Sequence, residues 1–142
     1  MLTNADCTLF TPYTENGTTH YARTVLRGVH WQDHRGVDMT KTGVHNDGGT
    51  TVYIPMGVQA DGGKVYTSPK GWAAADKAAR WTLLTASAVT SKIVKGVVEQ
   101  DIGDAYSLKQ LDRDYDNVCT ITAVDAKDYG NPCMQHWEVT AK

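Results

Sequence analysis

The chain has 142 residues, of which 41% are hydrophobic and 21% charged, and its formal net charge is −2. This length suffices for one domain with its own core, and the composition excludes a disordered or fibrous chain. The negative charge disfavours tight, free-standing binding to nucleic acid, and no apolar run reaches the roughly 20 residues of a membrane helix. We therefore expect one soluble domain over residues 1–142, made in the cytoplasm without a secretion signal.

The first predicted element is a β-hairpin around the turn Asn16-Gly17. Residues 7–13 and 18–26 on either side are rich in Thr, Tyr and Val, and Asn-Gly tolerates the positive φ angles of a tight hairpin turn. Residues 28–39 mix aromatic and charged side chains between glycines, which predicts a bent strand or a pair of short strands. Residues 51–55 predict a strand that its proline ends or places at an edge.

Two short helices are predicted to interrupt the strands. Ser68 as N-cap, Pro69 at the first helical position and the alanine-rich run 72–79 favour the first helix. The second begins at Ser107, with Gln110 placed to close a capping box. The segments beside them return to strand composition: residues 64–67, 81–84 and 92–98.

The C-terminal part predicts two antiparallel strands, over residues 118–124 and 135–139, joined by a turn through residues 128–132. In the last strand Trp137 and Val139 point to one side, which should be buried. Strand-type blocks with turn residues between them recur along the whole chain. The predicted fold class is therefore mainly β.

The four tryptophans are predicted first as core residues. Trp31 and Trp137 carry an alternative, because both follow a histidine and lie beside polar, turn-forming stretches. A ring with one apolar and one wet end also suits a contact surface. Both residues are therefore candidates for an interface as well as for the core.

Cysteine usage indicates a reducing compartment. Cys7, Cys119 and Cys133 form no CxxC pair, and an odd number leaves at least one thiol free. We interpret all three as small apolar residues rather than as metal ligands or nucleophiles.

Two segments match metal-binding patterns in part. His30 and His34 have the spacing that brings two imidazoles to one metal on a helix, but flanking glycines oppose a helix and HExxH is absent. The acidic segment 112–117 lacks the glycine and the glutamate that a calcium loop needs at its sixth and twelfth positions.

No GxSxG or P-loop motif appears either. We predict no catalytic residues, metal or cofactor; a metal-dependent enzyme centred on His30, His34 and His45 is the third hypothesis.

Several segments together resemble small head–tail joining proteins of tailed bacteriophages and prophages, including the head-closure or stopper type. After the N-terminal hairpin, the chain reads Gly28-Val29-His30-Trp31; a later strand ends in Ile54-Pro55, and the last reads His136-Trp137-Glu138-Val139. The resemblance covers most of the chain. The alanine-rich residues 72–80 and the polar residues 41–50 depart from it.

The resemblance implies a small β-barrel of antiparallel strands with one or two short helices and long polar loops. It also implies a virion protein, made in the bacterial host cytoplasm, that forms a ring between the portal or adaptor and the tail. Such a ring lines or closes the DNA channel, so DNA passes without sequence-specific binding and no catalytic residue is carried over. The alternative function is a β-barrel module that binds a small ligand or a peptide, since aromatic residues are numerous.

A ring needs heterologous contacts, in which one patch on a subunit meets a different patch on the next. Polar loops and open strand edges supply such patches. We predict that residues 41–50 form an exposed loop, and we select residues 41–47 and 57–64 as assembly loops. The candidate interface residues are His30, Trp31, Lys41, His45, Asp47, Asp61, Lys64, His136 and Trp137.

Overall fold

A computed structural model describes the backbone of residues 2–34, 37–40, 43–46, 49–85 and 91–142, and the side chains of residues 2–33, 49–85 and 91–142. The described chain forms eleven strands and one α-helix, which confirms the predicted mainly β class. The elements are β1 (Ala5–Glu15), β2 (Thr18–His34), β3 (Val37–Thr40), β4 (Gly43–Asn46), β5 (Gly49–Pro55), β6 (Gln59–Ala60), β7 (Val65–Tyr66), β8 (Arg80–Trp81), β9 (Lys92–Lys95), α1 (Leu108–Asp114), β10 (Val118–Lys127) and β11 (His136–Ala141).

Six antiparallel strands close into a ring of hydrogen bonds, in the order β1-β9-β10-β11-β5-β2, with β2 pairing again with β1. This is the pairing pattern of a small barrel, and closure removes the free sheet edges that invite aggregation. β6 adds to the outside of β2 through the pair Leu26 and Ala60. β7 and β8 form a separate parallel pair.

The long strand β2 pairs with two strands of the ring in turn. Residues 18–29 pair with β1, and residues 30–34 pair with β5. Gly28 lies just before this change of partner with φ +91°, a conformation that favours glycine, and the register with β1 shifts opposite this point, between Ala5 and Cys7. The hairpin turn is also confirmed, because Asn16 and Gly17 have φ +52° and +74°.

Two hydrophobic cores lie on opposite sides of β1. The main core fills the barrel. It is formed by residues of the ring strands together with Trp81 and Leu83, which follow β7. Its large members are Leu9, Leu26, Val29, Trp31, Val52, Ile54, Trp81, Leu83, Ile93, Ile121, Trp137 and Val139. A smaller core on the outer face joins Phe10 and Val94 to Val98 and Leu111. Leu9 and Phe10 are neighbours that point to opposite faces, so β1 is buried on both.

The predicted helices differ in outcome. The capping box at Ser107 and Gln110 is present and begins α1. Ser68 caps only a 3₁₀ turn, Pro69–Gly71, and the predicted helix over residues 72–79 is wrong. The carbonyls of Trp72, Ala73 and Ala75 accept hydrogen bonds from Lys77 Nζ. The Trp72 carbonyl also accepts from the Ala75 amide, in a turn rather than in a helix.

The predicted exposed loop over residues 41–50 is wrong where it is described. Gly43–Asn46 is a strand that pairs with β3, and Gly49 and Thr50 begin β5. The two strands of this ribbon pair through backbone hydrogen bonds, which polar residues also form, so its sequence resembles that of a loop. The strands predicted over 81–84 and 92–98 are shorter, at Arg80–Trp81 and Lys92–Lys95.

Candidate assembly surface

The β3–β4 ribbon rises from one rim of the barrel. The last pair between β2 and β5 joins His34 to Gly49, so the chain leaves and re-enters the barrel at neighbouring points. Between them β3 and β4 pair in register, with Asp38 opposite His45. His45 is therefore placed on the ribbon. Its side chain, and the predicted interface residues Lys41 and Asp47, lie outside what the structure describes.

Trp31 anchors the root of this ribbon. Its backbone amide donates to Asn4 Oδ1 at 2.7 Å, and its carbonyl accepts from Asn4 Nδ2 at 3.1 Å. Its indole Nε1 donates to Asp33 Oδ1 at 2.9 Å, and Thr50 Oγ1 donates to the same oxygen at 3.0 Å. The side chain is 3% exposed. Trp31 thus links β2 and β5 near the start of the ribbon. It is a core residue, as first predicted.

Three aromatic rings form a row on the outer face of the same strands, which we call the His–Tyr–His face. His30 of β2 lies opposite Tyr53 of β5, with ring centroids 5.7 Å apart, and Tyr53 lies 5.6 Å from His136 of β11. All three are half-buried. His136 Nδ1 lies 2.8 Å from the Met134 carbonyl oxygen, which can only accept, so this nitrogen carries a proton in that contact.

The structure thus brings together two predicted interface residues, His30 and His136, and adds Tyr53 between them. Tyr53 was missed from the sequence. The signal was present, because Val52 and Ile54 are apolar and alternation sends the residue between them to the opposite face of the sheet.

Trp137 lies away from this face, inside the end of the barrel. It is 7% exposed, and its ring centroid lies 4.5 Å from that of Tyr66 and 5.5 Å from that of Trp81. Like Trp31, it occupies the predicted core rather than a surface. Beside it opens a groove of about 440 Å³, whose apolar lining includes Tyr66, Leu83 and Leu84.

The predicted assembly loop 57–64 is tied to the barrel wall. Asp61 accepts two hydrogen bonds from Arg27, at 2.8 and 2.7 Å, and Lys64 Nζ donates to the Arg23 carbonyl at 2.7 Å and to Thr24 Oγ1 at 3.2 Å. The hydrogen bond from Arg27 lowers the pKa of Asp61, and burial lowers the pKa of Lys64. Both interface candidates therefore hold the loop in place.

Asp61→Asn is expected to cause a small loss of stability that depends on pH. The folded-state pKa of Asp61 is lowered, so its carboxylate stabilises the fold above the ordinary carboxyl pKa, and this contribution is lost as pH falls through the folded value. Solvent screening keeps the effect small. Urea unfolding at about pH 7 and below about pH 3 should show a deficit that disappears in acid.

Asp128→Asn is the matched control, since that exposed carboxylate has no ion pair among the described residues. It should unfold like the wild type at both pH values. A deficit for Asp61→Asn that persists in acid would show that the Arg27 contact stabilises the loop by something other than charge.

The remaining chemistry-bearing residues are dispersed. Among the residues that the structure describes, no group of three or more His, Cys, Asp or Glu side chains is placed to hold a metal ion. The side chains of His34 and His45 are outside that set. Cys7, Cys119 and Cys133 are free thiols; burial raises the pKa of the first two. No described helix is long and apolar enough to cross a membrane.

Comparison with known proteins gives a family. The model of DUF6751, a family of unknown function, matches residues 2–142. The chain belongs to this family. No curated protein and no solved structure matches it. The closed barrel, the ribbon at its rim and the His–Tyr–His face are thus features of a DUF6751 protein.

Proposed function

We propose that this DUF6751 protein is a structural virion protein of a tailed phage or prophage. It joins the head, at the portal or adaptor, to the tail as a subunit of a ring that lines or closes the DNA channel. The role is mechanical and uses neither catalysis nor a cofactor. The observation that carries the proposal is the β3–β4 ribbon on the rim of a closed barrel. The sequence resemblance to head–tail joining proteins is the reason for proposing a virion protein.

The barrel and the ribbon suit the two tasks of a channel subunit. A closed six-stranded ring is a rigid body that can pack beside copies of itself. Four-residue strands at about 3.3 Å per residue let the ribbon reach about 10 Å beyond its first pair. In the described chain each ribbon strand pairs with one neighbour, so one edge of each can add a strand from another protein.

The His–Tyr–His face supports contact with a neighbouring protein. Half-buried rings on an outer sheet face combine apolar area with polar atoms, a composition that recurs at protein interfaces. Two of the three strands that carry this face, β2 and β5, also carry the ribbon. We assign the ribbon and this face to the portal, adaptor or tail partner. The net charge of −2 suits a channel over which DNA slides.

The test is binding to connectors by a variant without the ribbon. Residues 35–48 are replaced by a short Gly-Ser link, which joins strands that already pair at His34 and Gly49. Negative-stain imaging with the portal, adaptor and tail proteins encoded nearby should show wild-type protein as rings or caps on connectors. The variant should keep the melting temperature of the barrel and lose this binding.

Tyr129→Ala is the control, because this exposed side chain is far from the ribbon in the chain. It should cap connectors as the wild type does. Caps formed equally well without the ribbon would contradict its role, and wild-type protein that stays monomeric with every partner would contradict the function itself.

The groove beside Trp137 favours a second candidate, a module that binds a peptide or a small ligand. Its apolar lining lies at the mouth of a barrel, where such sites recur, while the barrel interior is filled by side chains. A thermal-shift screen with apolar peptides tests it. A peptide that raises the melting temperature, together with wild-type protein that stays monomeric with every connector protein, would favour this second function over the first.

A further inference from the structure

The two faces of the β1–β2 hairpin carry lobes of opposite charge. Tyr13 pairs with His20 on the inner face, and the segment over residues 64–80 covers it, with Lys77 Nζ 5.5 Å above the Tyr13 ring. Pro12 pairs with Tyr21 on the outer face, and Tyr21 packs with the smaller core under residues 98–115. The two lobes therefore lie on opposite sides of one hairpin.

The inner lobe, which we call the basic segment, contains four cations and one carboxylate over residues 64–80. Lys64 and Lys77 bind atoms of their own chain. Lys70 and Arg80 are exposed and have no ion pair in the described part of the chain. The alanines between them that face solvent are Ala73, Ala74, Ala78 and Ala79. This segment thus presents small apolar groups flanked by free positive charge.

The outer lobe forms an apolar groove of about 470 Å³ against the hairpin, which we call the acidic groove. Tyr21, Ile102, Leu108 and Lys109 are among the residues that line it. Asp104 lines the same groove, and Asp112 lies one helical turn beyond Leu108 on the same helix face.

Charge around the acidic groove is complementary to that of the basic segment. Residues 99–116 hold six carboxylates against two cations. Asp104 and Asp112 are exposed and form no ion pair with any described residue, whereas Arg113 pairs with Asp114. Lys109, which lines the groove, is also exposed and has no ion pair among the described residues. The three free charges Asp104, Lys109 and Asp112 therefore sum to −1, opposite in sign to Lys70 and Arg80.

We propose that the basic segment of one copy seats in the acidic groove of a second copy. Exposed alanines enter the apolar groove, while Lys70 and Arg80 meet Asp104 and Asp112. Because the two surfaces are different patches, the contact is heterologous, and every copy offers both halves. Repetition generates a ring where the rotation between copies closes. This inference rests on the proposed function and supplies the lateral contact of its ring.

Charge exchange tests the contact. One variant carries Lys70→Glu and Arg80→Glu, and the other carries Asp104→Lys and Asp112→Lys. In sedimentation velocity at low ionic strength, wild-type self-association should rise with protein concentration and weaken with added salt. Each variant alone should associate at least about a hundredfold more weakly, since like charges now face each other. The two variants mixed in equal amounts should associate again, because one then offers two acidic surfaces and the other two basic ones.

Lys142→Glu with Asp128→Lys is the matched control, since it changes two exposed charges outside both surfaces, and it should associate like the wild type. If a reversal disturbs folding, the neutral pairs Lys70→Gln with Arg80→Gln and Asp104→Asn with Asp112→Asn replace it, and each should weaken self-association without recovery on mixing. Wild-type monomers at every concentration, self-association by either reversed variant as strong as that of the wild type, or a mixture that stays monomeric would each overturn the contact. If the contact fails but wild-type protein still caps connectors in negative-stain images, the proposed function stands. If the charge exchange succeeds but the oligomers never bind connectors, the contact stands and the proposed function is overturned.

Discussion

Trp137→Ala should lower the free energy of unfolding of the isolated protein by about 3–5 kcal/mol, the usual cost of removing a buried tryptophan. The side chain is 7% exposed and packs against Tyr66 and Trp81, whose ring centroids lie 4.5 and 5.5 Å away. Its removal leaves a cavity at the end of the barrel and breaks two aromatic pairs. Urea unfolding followed by far-ultraviolet circular dichroism measures the loss without relying on tryptophan fluorescence.

Met134→Ala is the control, because this nearby side chain is 57% exposed and its truncation should change stability by less than about 0.5 kcal/mol. Trp137→Phe keeps part of the ring packing and should fall between the two, which gives a measurable value if the alanine variant does not fold. A loss below about 1 kcal/mol for Trp137→Ala would show that the barrel end does not depend on this ring. The experiment also separates the two sequence-based interpretations, since a pure interface residue would leave the stability of the monomer unchanged.

Local chemistry made part of this fold predictable. The turn at Asn16-Gly17 and the capping box at Ser107 and Gln110 depend on residues within a few positions of one another, and both are present. The last two strands are also present, and β11 alternates between buried and less buried residues as predicted. The cap at Ser68 is the exception, because its hydrogen bond is present but begins only a 3₁₀ turn, so a local cap did not guarantee the predicted helix.

Contacts between distant segments were not predictable in this way. Strand composition does not specify that β1 pairs with β9, about 80 residues later. The prediction of a barrel therefore depended on the resemblance to head–tail joining proteins and not on the pattern of residues. The same limit applies to the site. Asp61 and Lys64 looked free because the sequence does not show that Arg27 and Thr24 lie beside them. His30 and His136 share a face only because β5 lies between their strands.

Leu111→Ala is expected to loosen the outer lobe while the barrel stays folded. Leu111 is the buried residue of α1, and it packs with Phe10, Val94 and Val98 in the smaller core. Truncating a buried leucine costs about 2–5 kcal/mol, and a seven-residue helix has little stability of its own. Hydrogen exchange should therefore show protection lost at the amides of residues 107–115 and retained across the paired amides of β5 and β11.

Lys109→Ala on the same helix is the matched control, because that side chain is exposed and its removal takes nothing from the smaller core. It should leave exchange over residues 107–115 close to that of the wild type. Equal loss of protection in β5, β11 and α1 after Leu111→Ala would mean that lobe and barrel unfold as one unit. Selective loss in the lobe has a further consequence. Leu108, which lines the acidic groove, lies on the same short helix, so a lobe that opens locally should also lose self-association while the barrel keeps its fold.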